Sequence, residues 1–122
     1  GILSKNFLEF CKKSKNLKNI KINAISVHIG SQITSVEPYK RTLNALRKII
    51  KLSNINFDYI DLGGGFGIQY KNNDKKIDIK KYSNLVQKFQ KETNCKIIFE
   101  PGRYIVGNTG SLISRIVFVS KS

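Results

Sequence analysis

The chain has 122 residues, enough for one small domain and too few for two. It is 40% hydrophobic and 25% charged, as expected of a globular protein, and no apolar run approaches the roughly 20 residues that span a bilayer. Its 22 Lys and Arg against 8 Asp and Glu leave a formal charge of +14, but the lysines are dispersed and only Arg41, Arg47, Arg103 and Arg115 offer the forked donor that reads bases and phosphates, so no nucleic-acid partner is expected.

Read in chain order, residues 4–15 form a first helix, capped by Ser4, with Phe7, Phe10 and Cys11 on its apolar stripe. Ile22–Ile29 is β-branched and short, which suits a buried strand. Thr34-Ser35-Val36-Glu37 has the spacing of a capping box, Pro38 suits a first turn, and Tyr39, Leu43, Leu46, Ile49 and Ile50 mark one face of a helix ending near Leu52. Phe57–Leu62 is a second strand, ended by Gly63-Gly64-Gly65. The charged, aperiodic stretch Lys71–Lys80 is a surface loop, and Tyr82, Leu85, Val86 and Phe89 stripe a third helix. Lys96–Phe99 is a third strand ending in Glu100-Pro101-Gly102-Arg103, and Leu112–Val119 is a fourth apolar run with no helix before it. This alternation specifies an α/β fold with parallel strands and right-handed crossovers, whose ligand site lies at the strand C-termini.

Those termini carry the chemistry. His28, Gly63 and Glu100 recur at nearly even spacing: 35 residues separate His28 from Gly63, and 35 separate Gly65 from Glu100. Gly63-Gly64-Gly65-Phe66-Gly67 is neither a Walker loop nor a dinucleotide fingerprint; it is a tight turn or a cradle in which backbone N–H groups face an anion. His28, the only histidine, is structural or stacks its ring on a flat ligand; without a second ligand in range it indicates no metal. The Ser31 hydroxyl can reach a phosphate. Glu100 follows three apolar residues and is expected to be partly buried, paired either with Arg103 or with a protonated ring nitrogen, while Gly102 and Arg103 meet a phosphate or carboxylate. A carboxylate opposite a pyridine nitrogen keeps that ring protonated. Together the three ends describe a flat, phosphorylated pyridine. Cys11 and Cys95 lie far apart without metal-ligand spacing, which points to reduced thiols and an intracellular setting. The N-terminus has no export signal, and a chain that opens on glycine and contains no methionine reads as a piece of a longer protein.

The segments HIGSQIT (28–34), IDLGGGFGI (60–68) and FEPGR (99–103), in this order, resemble the barrel domain of the diaminopimelate decarboxylase family, pyridoxal-phosphate enzymes of the alanine racemase-like fold class. The resemblance covers essentially the whole chain. It implies the later strand–helix units of an eight-stranded (β/α) TIM barrel over residues 1–110, and the first strand of a C-terminal β-domain over 111–122. It implies pyridoxal 5'-phosphate as cofactor, with His28 stacking on the ring, Ser31, Gly64, Gly65 and Gly102 at the phosphate, Glu100 at the pyridine nitrogen, and Arg103 at the phosphate and a substrate carboxylate. The implied reaction is decarboxylation of meso-2,6-diaminopimelate to L-lysine and CO2, the last step of lysine biosynthesis, in a cytoplasmic homodimer with no membrane partner. An ornithine, arginine or carboxynorspermidine decarboxylase, or a non-catalytic pyridoxal-phosphate or phosphate binder, remains the alternative. The family's cofactor-holding lysine and its Cys-Glu-Ser segment match nothing here, so this stretch alone is expected to be inactive, with one barrel face open and apolar.

Overall fold

The computed structural model describes residues 1–120. Four helices, α1 (Ser4–Ser14), α2 (Glu37–Ser53), α3 (Ile79–Thr93) and α4 (Gly102–Val106), alternate with three strands, β1 (Ala24–Ser26), β2 (Tyr59–Asp61) and β3 (Lys96–Ile98). The strands are parallel and adjacent in chain order, β1-β2-β3. Each crossover therefore returns to the neighbouring strand, and α1, α2 and α3 pack side by side. Ile25 and Ile60 point from the sheet into a core closed by Tyr39, Leu43 and Leu46 of α2 and by Tyr82, Val86 and Phe89 of α3. Ile60 and Phe89 are completely shielded from solvent. Burying such side chains contributes roughly 1.5–3 kcal/mol each, which is what holds helices of ordinary propensity on the sheet.

Side chains alternate across a strand, so Ser26, Asp61 and Ile98 face away from the helices, as do Ala24, Tyr59 and Lys96. This open face was expected to be apolar, and it is largely polar: Ser26 Oγ donates to Asp61 Oδ2 at 3.0 Å, and Lys96 Nζ lies 5.6 Å from the Tyr59 ring centroid. The most exposed apolar side chains lie instead along Leu112–Val119. That segment was expected to be a strand; it takes no regular structure and Leu112 is 95% exposed, because no neighbouring strand among the described residues offers it a ladder. Residues 121 and 122, the end of the expected β-domain segment, lie outside the described residues.

The helix starts also differ from expectation. Ser4 lies inside α1 and makes no capping bond; Leu3 is the flanking residue. The expected capping box at Thr34 does not form, because Ile33 is still extended: its N–H donates to the Gly65 carbonyl and its carbonyl accepts from the Gly67 N–H, both at 2.9 Å. α2 therefore begins two residues later than the capping box implies, at Glu37, whose N–H donates to Ser35 Oγ at 3.3 Å. α3 is capped by Asp78, which accepts from the Lys81 N–H at 2.8 Å, so Ile79 and Lys80 belong to the helix and not to the loop. Asn54 and Asn94 end α2 and α3 in the left-handed conformation that asparagine tolerates. Cys11 and Cys95 are both buried free thiols; Cys95 Sγ donates to the Phe57 carbonyl at 3.0 Å.

Tyr82 is buried, and its hydroxyl has no hydrogen-bond partner among the described residues. Tyr82→Phe is expected to leave stability unchanged or raise it by up to about 1 kcal/mol; a fall in Tm would show that the hydroxyl has a partner. Burial also raises the Tyr39 hydroxyl from 10.0 to about 12 and raises Tyr82, which the nearby Tyr39 pushes further. Above pH 10 the unfolded chain loses these protons while the folded state keeps them. Their contribution is thus complete below pH 10 and falls as pH climbs toward 12, by about 1.4 kcal/mol per pH unit for each phenol. Urea midpoints at about pH 9 and about pH 11 should show the decline, and Tyr82→Phe should reduce it.

Candidate functional site

The strand C-termini meet at the glycine turn. The Asp61 carboxylate that takes the Ser26 hydroxyl also accepts the Gly63 N–H through Oδ1 at 2.8 Å. The Gly63 carbonyl accepts the Glu100 N–H at 2.8 Å, and the Gly64 carbonyl accepts the buried Tyr39 hydroxyl at 3.1 Å. A Cβ on Gly64 would overlap the Glu100 carbonyl oxygen, and one on Gly63 would lie 2.6 Å from the Val27 carbonyl oxygen and 3.0 Å from His28 Nδ1. The glycines here first allow three strand tips to touch. Their second consequence is electrostatic: the N–H groups of Gly64 and Gly65 find no acceptor among the described residues.

This turn gathers most of the expected residues. His28 lies against Gly63 and is exposed. Glu100 stands beside Gly63, not Gly65: Ala24 pairs with Tyr59 and Tyr59 with Lys96, offsets of 35 and 37 residues, so only the His28–Gly63 interval matches the sheet register. Glu100 was expected to be partly buried and is exposed, since β3 is an edge strand among the described residues and none of them covers the carboxylate. Nor does it pair with Arg103; among the described residues it makes no ion pair. The Arg103 guanidinium turns toward the other loops and donates through Nη1 to Gln32 Oε1 at 3.3 Å and to the Tyr70 hydroxyl at 3.0 Å. Ser31 is exposed in the β1–α2 loop. Gly102 opens α4, and its N–H, expected to face a phosphate, donates to the Glu100 carbonyl at 2.8 Å.

Three residues at the turn escaped the sequence reading. Asp61 is recognisable afterwards as an acid ending a strand before glycines, the pattern of a side chain capping its own turn. Tyr39 looked like one more core position. Gln32 has φ +56 and holds the Ile68 backbone from both ends of its amide, Nε2 donating to the carbonyl at 2.6 Å and Oε1 accepting the N–H at 3.3 Å. Nothing local to Gln32 signals a contact 36 residues away.

A free pair of backbone donors, an arginine, an exposed imidazole and an unpaired carboxylate on one rim suit a ligand that is anionic at one end and a flat, protonated ring at the other. Residues 1–107 match the family model of the pyridoxal-dependent decarboxylase, pyridoxal binding domain. This chain belongs to that family. Pyridoxal-dependent decarboxylases of similar sequence include diaminopimelate decarboxylases from Zymomonas mobilis, 32% identical over all of this chain and 30% of that protein, and from Aquifex aeolicus, 38% identical over 87% of this chain and 26% of that protein. The chain thus spans under a third of those relatives. Among solved structures, an Aquifex aeolicus protein superposes with a TM-score of 0.77 at 32% identity, covering 88% of this chain and 28% of that one. Diaminopimelate decarboxylase from Helicobacter pylori, complexed with L-lysine, superposes at 0.70 and 28% identity over 86% of this chain and 27% of that one. The family's cofactor is pyridoxal phosphate, and the donor set at this rim fits it.

The contact at Gly64 sets a sharp expectation. Gly64→Ala must push the β3 tip off the turn, at a cost of about 1–3 kcal/mol or more, and is expected to weaken cofactor binding in the full-length protein. Asp61→Asn keeps an acceptor oxygen for the Gly63 N–H and should be tolerated. Equal losses of Tm in the two variants would show that backbone overlap is not what restricts position 64.

Proposed function

We propose that this chain forms the cofactor-facing part of a pyridoxal-phosphate-dependent decarboxylase that converts meso-2,6-diaminopimelate to L-lysine and CO2, the last step of lysine biosynthesis. The observation that carries the reading is the convergence of His28, the Gly63–Gly65 turn and Glu100 at the C-terminal rim of three parallel strands, with Arg103 across it. The names of the relatives favour diaminopimelate within the family. In this reading residues 1–110 supply later strand–helix units of an eight-stranded barrel, residues 111–122 lead into a C-terminal β-domain, and the full-length enzyme is a homodimer.

Pyridoxal phosphate, when bound, supplies the electron sink for the pair released as CO2 departs. The protein residues prepare that site. Gly64 and Gly65 offer backbone N–H groups to the phosphate, joined by the Ser31 hydroxyl and the Arg103 guanidinium. Gly102 has open space where a Cβ would stand, which leaves room for the phosphate beside it. His28 covers one face of the ring. Glu100 accepts a proton-bearing ring nitrogen at the carboxylate and holds that proton in place, which favours the protonated ring. Arg103 is also the cation available to a substrate carboxylate.

Glu100→Gln tests this assignment in the full-length protein. It retains the shape of the side chain and loses the charge that holds the ring protonated, so kcat should fall on the order of 100-fold while cofactor binding changes far less. Unchanged turnover would remove Glu100 from this role.

A further inference from the structure

Three glycines in succession have little conformational preference of their own, so a turn built from them can aim its N–H groups only if something outside it fixes the peptide planes. Two of those planes are held by backbone. The Gly63 carbonyl is held by the Glu100 N–H and the Gly65 carbonyl by the Ile33 N–H. The plane between them, joining Gly64 to Gly65, is held by one side chain: the Tyr39 hydroxyl, which reaches out of the first turn of α2 to the Gly64 carbonyl at 3.1 Å. Tyr39 is buried in an aromatic cluster, its ring stacked 5.2 Å from Phe66 and edge-on 4.9 Å from Tyr82, so the hydroxyl has no room to swing away.

A trans peptide is planar, and its C=O and N–H point in opposite directions. Tyr39 lies on the helix side of the sheet. Drawing the Gly64 carbonyl toward Tyr39 therefore turns the Gly65 N–H to the opposite side, the open face on which the strand residues Ser26, Asp61 and Ile98 stand. That N–H has no acceptor among the described residues, and Gly65, at φ +87, holds a backbone conformation that a side chain would resist.

We propose that Tyr39 is a positioning residue for the phosphate subsite: its hydroxyl, by holding the Gly64 carbonyl, aims the Gly65 N–H at the phosphate of the cofactor. The proposal rests on the pyridoxal-phosphate reading above and adds to it a residue that never touches the ligand. Burial keeps this hydroxyl protonated, and so a donor, to about pH 12.

The test compares Tyr39→Phe with the unsubstituted full-length protein, titrating each calorimetrically with pyridoxal phosphate and with pyridoxal, which lacks the phosphate. The substitution keeps the ring and its packing. The dissociation constant for pyridoxal phosphate should rise roughly tenfold, the loss of one charge-assisted hydrogen bond, while that for pyridoxal changes by less than about twofold. A merely structural role would shift both ligands alike, and that result, or no shift in either, overturns the proposal. If the unsubstituted protein binds pyridoxal phosphate no better than pyridoxal, it is the phosphate-site reading itself that fails. Should Tyr39→Phe not fold, the Gly65 amide resonance of the unsubstituted protein, titrated with inorganic phosphate, decides: a saturable shift supports the proposal and an unmoved resonance overturns it.

Discussion

The architecture depends on how closely three strand tips can approach. With the Glu100 carbonyl standing where a Cβ of Gly64 would be, and Val27 and His28 against Gly63, any side chain here would force the tips apart. Close approach brings His28, Glu100 and the turn onto one rim. It also places Gly64 within reach of Tyr39, and Ile33 within reach of Gly65 and Gly67. The bridge at Ile33 then delays the start of α2, which decides where Tyr39 falls on the helix. Local backbone geometry thus propagates into helix register and from there back to the turn.

The two sides of the sheet do different work. On the helix side, Tyr39, Phe66 and Tyr82 form a cluster of ring centroids 4.9–5.2 Å apart directly beneath the turn. Aromatic contacts of this kind contribute about 0.5–1.5 kcal/mol each beyond their burial and leave little freedom to the rings. On the opposite side the Ser26–Asp61 hydrogen bond joins two strands and continues to the Gly63 N–H, tying the polar row to the rim. The turn is held from both sides: by an apolar layer that fixes a hydroxyl and by a carboxylate that fixes an amide.

Electrostatics contributes little to holding the fold together. The ion pairs among the described residues are largely exposed; Arg47–Glu92, at 2.6 Å, is the most shielded and joins α2 to α3, with the guanidinium 5.2 Å from the Phe89 ring centroid. Exposed pairs of this sort are worth about 0–1 kcal/mol. Most of the positive charge stays solvated, and Arg103 differs in being drawn by Gln32 and Tyr70 to the rim where an anion is expected.

Periodicity in the amino-acid sequence was enough to order the helices and strands, to pick the buried faces of α2 and α3, and to assign a parallel sheet with the glycine turn and the polar residues at its C-terminal rim. Those properties follow from spacing along the chain: a stripe at three-to-four intervals needs a core, and β-branched runs joined by helices need crossovers. Spacing failed where the outcome depends on a distant partner. Thr34 has a good capping box, yet Ile33 pairs with the 65–67 backbone; Leu112–Val119 has strand composition but no ladder; Glu100 follows an apolar run, yet β3 is an edge. The equal 35-residue intervals suggested one register, and the hydrogen-bonded pairing made the second interval 37. The sequence by itself determined at which ends of which elements the histidine, the glycines and the carboxylate stand. Only the tertiary structure decided how those groups are aimed, because the direction of a glycine N–H is set by what holds the neighbouring carbonyl, and here that is a hydroxyl 25 residues away.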